Sequence, residues 1–235
     1  MAAWLKRLAV IAVLGFPVAV AGKRLGLFDF SVSFQIIQYT FLMALMIFFV
    51  GSVVSLRNRK SNRVKAGLAR TAAYISLIPI IGLGTQIFTA RSVPEIHNIT
   101  TDTANPPVFD TVIALRGANS NPHGYNASEL AKVQAAAYPE IKTYFSDQTP
   151  SELFNKSLEV IKDKGWVLVS NNASTGIIEA TETTRLWAFK DDVVIRISQQ
   201  GDKTAVDLTS VSRIGRNDLG ANAKRIKAFL AALEN

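Results

Sequence analysis

The side chains with the most chemical potential crowd into one stretch of the chain: Glu179, Glu182, Arg185, Asp191, Asp192, Arg196, Asp207, Arg213, Arg216 and Asp218. Two jobs suit such a cluster. Arginines can anchor a polar or anionic ligand as bidentate donors. Alternatively, acids and arginines on neighbouring strands pair across a sheet face, with Glu179, Arg196, Asp207 and Arg213 on the face away from the helices. Both readings stay open. Glu179 and Glu182 do not form a glycosidase pair, because alternation along a strand sends residues three apart to opposite faces. No GxSxG elbow, Walker loop, HExxH or GxGxxG motif occurs. The Gly215–Gly220 stretch could offer amide donors to an anion, with Asp218 as a competing helix cap. Trp187 and Phe189 fall on a connection, either as an exposed partner-binding edge or as core. The candidate ligand or partner contacts are Glu179, Glu182, Arg185, Trp187, Arg196, Asp207, Arg213 and Arg216, and none is assigned a catalytic role.

The chain has no cysteine, which excludes disulfides, zinc-thiolate sites, iron–sulfur clusters and a cysteine nucleophile. Its two histidines, His97 and His123, fall in loop-like segments, so no metal site and no cofactor is expected.

The elements that must position these residues begin near Ile141. Thr149-Pro150-Ser151-Glu152 is a helix start with a Thr cap, Pro at the first helical position and Glu three residues after the cap. Leu153, Phe154, Ser157, Leu158 and Ile161 then repeat at helical spacing up to Gly165, a C-terminal stop. Strand-like runs follow at 166–169, 177–184, 193–198 and 204–213, with connections short enough to imply antiparallel hairpins. A last helix, Leu219 to Leu233, carries Ile226, Phe229, Leu230 and Leu233 on one face, with Lys224, Arg225 and Lys227 elsewhere. The simplest burial scheme is an α+β module, an antiparallel sheet with two helices packed on one face, resembling helix-grip or TATA-box-binding-like architectures. It takes in residues 127–235, including a short helix at Ser128–Ala137.

Residues 91–126 read as an extended tether punctuated by Pro94, Asn105-Pro106-Pro107 and Asn119 to Gly124. One strand-like run, Val108 to Leu115, lies within it, and a segment this long is either partly disordered or, the favoured reading, laid across the following domain.

Three strings carry a family resemblance: Glu179-Ala180-Thr181-Glu182-Thr183-Thr184, Trp187 to Ile197, and Ser210 to Ala223. With Pro107-Val108-Phe109-Asp110-Thr111 and Ala136-Ala137-Tyr138-Pro139, they resemble a bacterial envelope family catalogued as domain of unknown function 1499, from about Asn105 to Leu233. The resemblance implies a membrane-attached, often exported α/β module. It brings no activity and no catalytic residues.

Residues 1–90 read as a membrane domain of three helices, at about 4–22, 31–56 and 71–90. The first charge-free run, Leu8 to Gly22, is shorter than the roughly twenty residues a span needs. It is either a retained helix lengthened by snorkelling Lys and Arg or a cleaved signal peptide ending at Ala19-Val20-Ala21. The second run is apolar all round, as lipid contact demands. In the third, Pro79, Gly82 and Gly84 are either tolerated irregularities or a close helix contact.

Charge sets the expected orientation. Up to Arg70 there are ten Lys and Arg against Asp29, and from Arg91 sixteen against seventeen acids, so the whole-chain +8 belongs to the membrane part. A nucleic-acid binder would carry its surplus on the folded module; no nucleic-acid partner is expected. Arg57, Arg59, Lys60, Arg63, Lys65 and Arg70 lie between the second and third runs with no acid among them, which predicts a cytoplasmic loop. The amino terminus is then cytoplasmic, and the C-terminal module of a multi-pass bacterial inner-membrane protein is periplasmic. Its partners are the lipid bilayer and another membrane or envelope protein. The expected function is a non-enzymatic interaction module. A small-molecule or lipid binder is the alternative, and an enzyme of unfamiliar type the third reading.

Overall fold

The computed structural model describes residues 1–234 and divides into two compact units. One is Met1–Thr89 with Leu186–Ala188; the other is Ala90–Arg185 with Phe189 onward. Asn235, at the end of the expected 127–235 module, lies outside the described residues.

The first unit is built on α1 (Ala2–Arg24), α2 (Phe30–Asn58) and α3 (Arg63–Ser92), each long and apolar enough to cross a membrane. Their packing inverts that of a soluble bundle. Small side chains are inside: Ala9, Ala12, Gly15 and Ala19 on α1, Ala44 and Gly51 on α2, Ala69, Ala72 and Ala73 on α3. Large ones such as Phe49, Phe88, Ile78 and Ile81 are exposed. In lipid there is no hydrophobic gain in hiding a phenyl ring, so interfaces select residues that let backbones approach. The approach is tight. A Cβ added at Gly51 would sit 2.8 Å from the Ala69 carbonyl oxygen, and one at Gly15 would sit 2.3 Å from the Thr40 side chain. At Gly82 and Gly84 a Cβ would meet nothing within 4 Å, so those glycines make no close helix contact.

The second unit is an antiparallel sheet of β1 (Asn98–Thr100), β2 (Tyr144–Ser146), β3 (Val167–Asn172), β4 (Ile177–Thr183), β5 (Lys190–Gln200) and β6 (Lys203–Ser212). The order is β1-β6-β5-β4-β3, and β2 shares the outer edge of β6 with β1. Helices α4 (Ala127–Ala137), α5 (Pro150–Asp163) and α6 (Ala221–Glu234) complete it. The Thr149–Glu152 capping box is present in full, and Gly165 takes the left-handed backbone (φ 69°) that ends the α5 segment.

One sheet face is the main core. Ile178, Ile195 and Leu208 lie in one cluster with Leu153, Phe154 and Ile161 of α5 and Ile226 and Phe229 of α6; Trp166 stacks on Phe229 at 5.7 Å. The opposite face is covered as well. Phe109 and Val112 pack on Val194 and Val211 in a second cluster. Each such burial contributes about 1.5–3 kcal/mol and helps hold residues 91–126, the lead-in to the module, on the sheet.

The expected strand at Val108–Leu115 is instead a 3-10 turn, Thr111–Leu115. The N–H groups of Asp110 and Val112 go to the Glu179 carboxylate, not to a strand neighbour. The segment read as an extended tether also supplies β1, whose Asn98, Ile99 and Thr100 are fully buried beside β6.

Candidate functional site

Strand alternation divides the polar stretch into two clusters on opposite faces of the sheet. Asp191 and Asp192 are neighbours in β5, yet Asp191 meets α6 while Asp192 meets the lead-in. Glu179 and Glu182 part in the same way, as their spacing requires.

Beneath the lead-in, three acids lie under 2% exposed. Asp192 receives Nε and Nη2 of Arg213, Nη1 of Arg116, and the Thr181 hydroxyl at 2.8 Å. Both oxygens of Glu179 are engaged, one by the Asp110 N–H at 2.5 Å, the other by the Val112 N–H at 2.9 Å and the Ser170 hydroxyl at 3.1 Å. Asp207 accepts from Thr101 (2.9 Å), Thr143 (2.6 Å) and Arg196 Nη2 (2.8 Å), and Arg196 also reaches Asp102 at 3.1 Å. Arg116 donates to the Asn121 carbonyl and Arg213 to the Leu115 carbonyl, both at 2.7 Å. Each of these bonds lies within or between the sheet, with Arg213 at its end, and residues 101–143. Buried charges are tolerated only when paired and hydrogen-bonded, and here the pairing closes the lead-in over the sheet.

On the helix side, Arg225 is the hub. It reaches Asp191 at 2.5 Å, Ser210 at 2.9 Å, and also Glu182 and Asn222. Asn222 in turn donates to the His97 carbonyl at 3.1 Å and to Ser212 at 3.0 Å. Burial pushes the Asp191 carboxyl above the usual carboxylate range, and Arg225 pulls against that. Asp218 caps α6 by accepting from the Gly220 and Asn222 N–H groups, both at 2.8 Å. Its oxygens thus hold amides that an anion would need.

The sheet face of Glu179, Arg196, Asp207 and Arg213 is therefore not a solvated surface. Its acids are buried because Phe109 and Val112 drag the lead-in across them. Arg225 was expected outside the apolar face of the last helix, yet it is 7% exposed. Its spacing from Asn222 and Phe229 puts all three on the inward stripe, where Asp191 waits. Sequence reasoning missed Arg116, Arg225, Asn222, Thr181 and Asp102. Only the Asn222–Arg225–Phe229 spacing signalled any of them.

Arg185 and Arg216 are exposed. They lie on the β4–β5 and β6–α6 connections, which the antiparallel register brings to one end of the sheet. Trp187 is half-buried, and Leu186–Ala188 groups with the helical unit. There the Trp187 ring lies edge-on to Phe16 at 5.9 Å and to Phe30 at 5.8 Å. Among the described residues no group of three His, Cys, Asp or Glu is arranged to hold a metal. The arrangement can lock and orient backbone. A general acid or base needs access to the proton it moves, and the carboxylates here are committed to internal donors.

Residues 98–233, well over half of the chain, match the family described as Protein of unknown function (DUF1499). No curated protein matches the chain.

Proposed function

We propose, on the premise that this chain belongs to the DUF1499 family, that it is a non-enzymatic interaction module held on a membrane by three helices. The observation that carries this reading is the internal commitment of the candidate charges. Asp192, Glu179, Asp207 and Asp191 each bind donors from their own chain, so the polar cluster supports a scaffold better than a reaction centre. The sheet with helices on one face resembles helix-grip or TATA-box-binding-like architectures, which fits a binding role by analogy alone.

The Lys/Arg-rich loop from Arg57 to Arg70 favours a cytoplasmic placement. The module then lies in the periplasm of a bacterial cell whose inner membrane holds the helices. The surface offered to an envelope or membrane-complex partner is the sheet end that carries Arg185 and Arg216.

The test is photo-crosslinking in intact cells from positions 185 and 216, followed by mass spectrometry. A single recurrent envelope protein is expected from both positions. Heterogeneous adducts or none would reject the interaction role, as would hydrolysis of any substrate that is abolished by changes at Glu182 or Asp207.

A second reading, a module that holds a small molecule or lipid, draws on three buried polar atoms. The Tyr125 and Tyr138 hydroxyls and Asn98 Oδ1 have no hydrogen-bond partner in the chain, and burial pushes the Tyr125 phenol up to about 12. A small molecule released on native mass spectrometry of the purified protein would favour that reading.

A further inference from the structure

Six basic residues, Arg57 to Arg70, cluster where α2 ends and α3 begins, and orientation requires only that they share one side of the membrane. The structure does more with them. Arg59, Lys60, Arg63 and Arg70 converge on one open depression of about 660 Å³, lined also by Ser55, Leu56, Ala66 and Gly67, whereas Arg57 and Lys65 stay off it. Arg63 and Arg70 are seven residues apart on α3, two helical turns, which places them on one face. Arg59 and Lys60 line it from the turn between α2 and α3. The acids flanking this stretch in sequence are Asp29 and Glu95, at the far ends of α2 and α3, so the cations have no acid in their own segment. Leu56 in its lining is 71% exposed and Val64, next to Arg63 in sequence, is 76% exposed, apolar shoulders at the end of two membrane-length helices.

Four converging cations, an apolar shoulder and a position at a helix-pair terminus fit one kind of occupant. We infer that this depression binds the phosphodiester headgroup of an anionic phospholipid in the adjoining leaflet. Guanidinium forks match phosphate oxygens in bidentate geometry. The shoulder meets the glycerol and upper acyl carbons, and basic pockets between spanning helices suit such headgroups. Ser55 adds a hydroxyl donor within the same depression. The inference rests on the membrane-anchored reading but not on which side the loop faces.

The test uses the full chain in vesicles and in detergent micelles doped with phosphatidylglycerol or phosphatidylcholine, with bound lipid counted by native mass spectrometry. Wild type is expected to retain phosphatidylglycerol over phosphatidylcholine. R63Q/R70Q is expected to lose that retention by roughly 10–30-fold, at about 1 kcal/mol per basic residue. R57Q/K65Q removes the same charge away from the depression and is expected to keep it, and R63K/R70K is expected to recover most of it. Equal losses in the two glutamine pairs would show diffuse attraction and overturn the site. Lack of headgroup preference in wild type would do the same, as would displacement of the lipid by millimolar inorganic phosphate, which would make the occupant a free anion. All variants should float with vesicles; if wild type does not, the membrane anchor itself falls, an outcome distinct from the loss of selectivity alone.

Discussion

Arg213, just past the end of β6, grips Asp192 on the adjacent β5 through two nitrogens, Nε at 2.9 Å and Nη2 at 2.8 Å, and spends its third on the Leu115 carbonyl at 2.7 Å. One side chain thus ties two strands to the segment lying over them. With side-chain exposures of 0% for Asp192, 11% for Arg213 and 4% for Arg116, solvent cannot replace a lost partner. Asp192→Ala leaves two buried guanidinium groups without their carboxylate and is expected to destabilise the module by about 3–5 kcal/mol. Urea unfolding of the detergent-solubilised chain checks this; a change below 1 kcal/mol would mean the pair is not the latch it looks.

Glu179 acts on the same segment through neutral donors. Glu179→Ala deprives the Asp110 and Val112 amides and the Ser170 hydroxyl of their acceptor, at an expected cost of about 1–3 kcal/mol. Glu179→Gln keeps an acceptor oxygen and should cost less. Limited proteolysis should cut within residues 101–121 of the alanine variant before anything else is cleaved; unchanged protection would show that Phe109 and Val112 suffice.

Acid should weaken the module through His97. Its imidazole is held below the ordinary histidine value, chiefly by burial and further by the Arg116 charge, while a hydrogen bond to the Pro122 backbone and the Asp218 carboxylate act the other way. The unfolded chain therefore takes up this proton first, near pH 6.5. This contribution is intact above that pH and is lost as pH falls through it toward the lower folded value. Asp191, raised by burial, has the opposite sign, since its neutral form is favoured by folding. The comparison of wild type with His97→Gln isolates the histidine: the variant's denaturation midpoint should fall less between pH 7 and pH 5.5, and parallel slopes would refute the assignment.

In the helical unit the sensitive position is Gly51. Even a methyl group there must push against the Ala69 backbone oxygen at 2.8 Å. Gly51→Leu is expected to separate α2 from α3, read as lower resistance of the purified protein to unfolding by added denaturing detergent. Gly82→Leu, where a Cβ meets open space, should leave that resistance unchanged. Equal behaviour of the two variants would disprove packing through Gly51.

The sequence by itself determined whatever depends on local pattern. Charge-free runs of membrane length specify α2 and α3, and the Thr149–Glu152 box with Gly165 specifies α5. Period-two alternation also sufficed to send Glu179 and Glu182 to opposite faces. Tertiary structure decided which residues meet. Arg116 lies 76 residues from Asp192, and Arg225 lies 34 from Asp191, separations over which no periodicity carries information. The donors that turned Val108–Leu115 from strand to 3-10 turn are satisfied by Glu179, 67 to 69 residues away, so local propensity could not register them. Helix contact through Gly51 instead of Gly82 was equally hidden, because a glycine's value depends on the backbone that approaches it, and that approach exists only once the helices have packed.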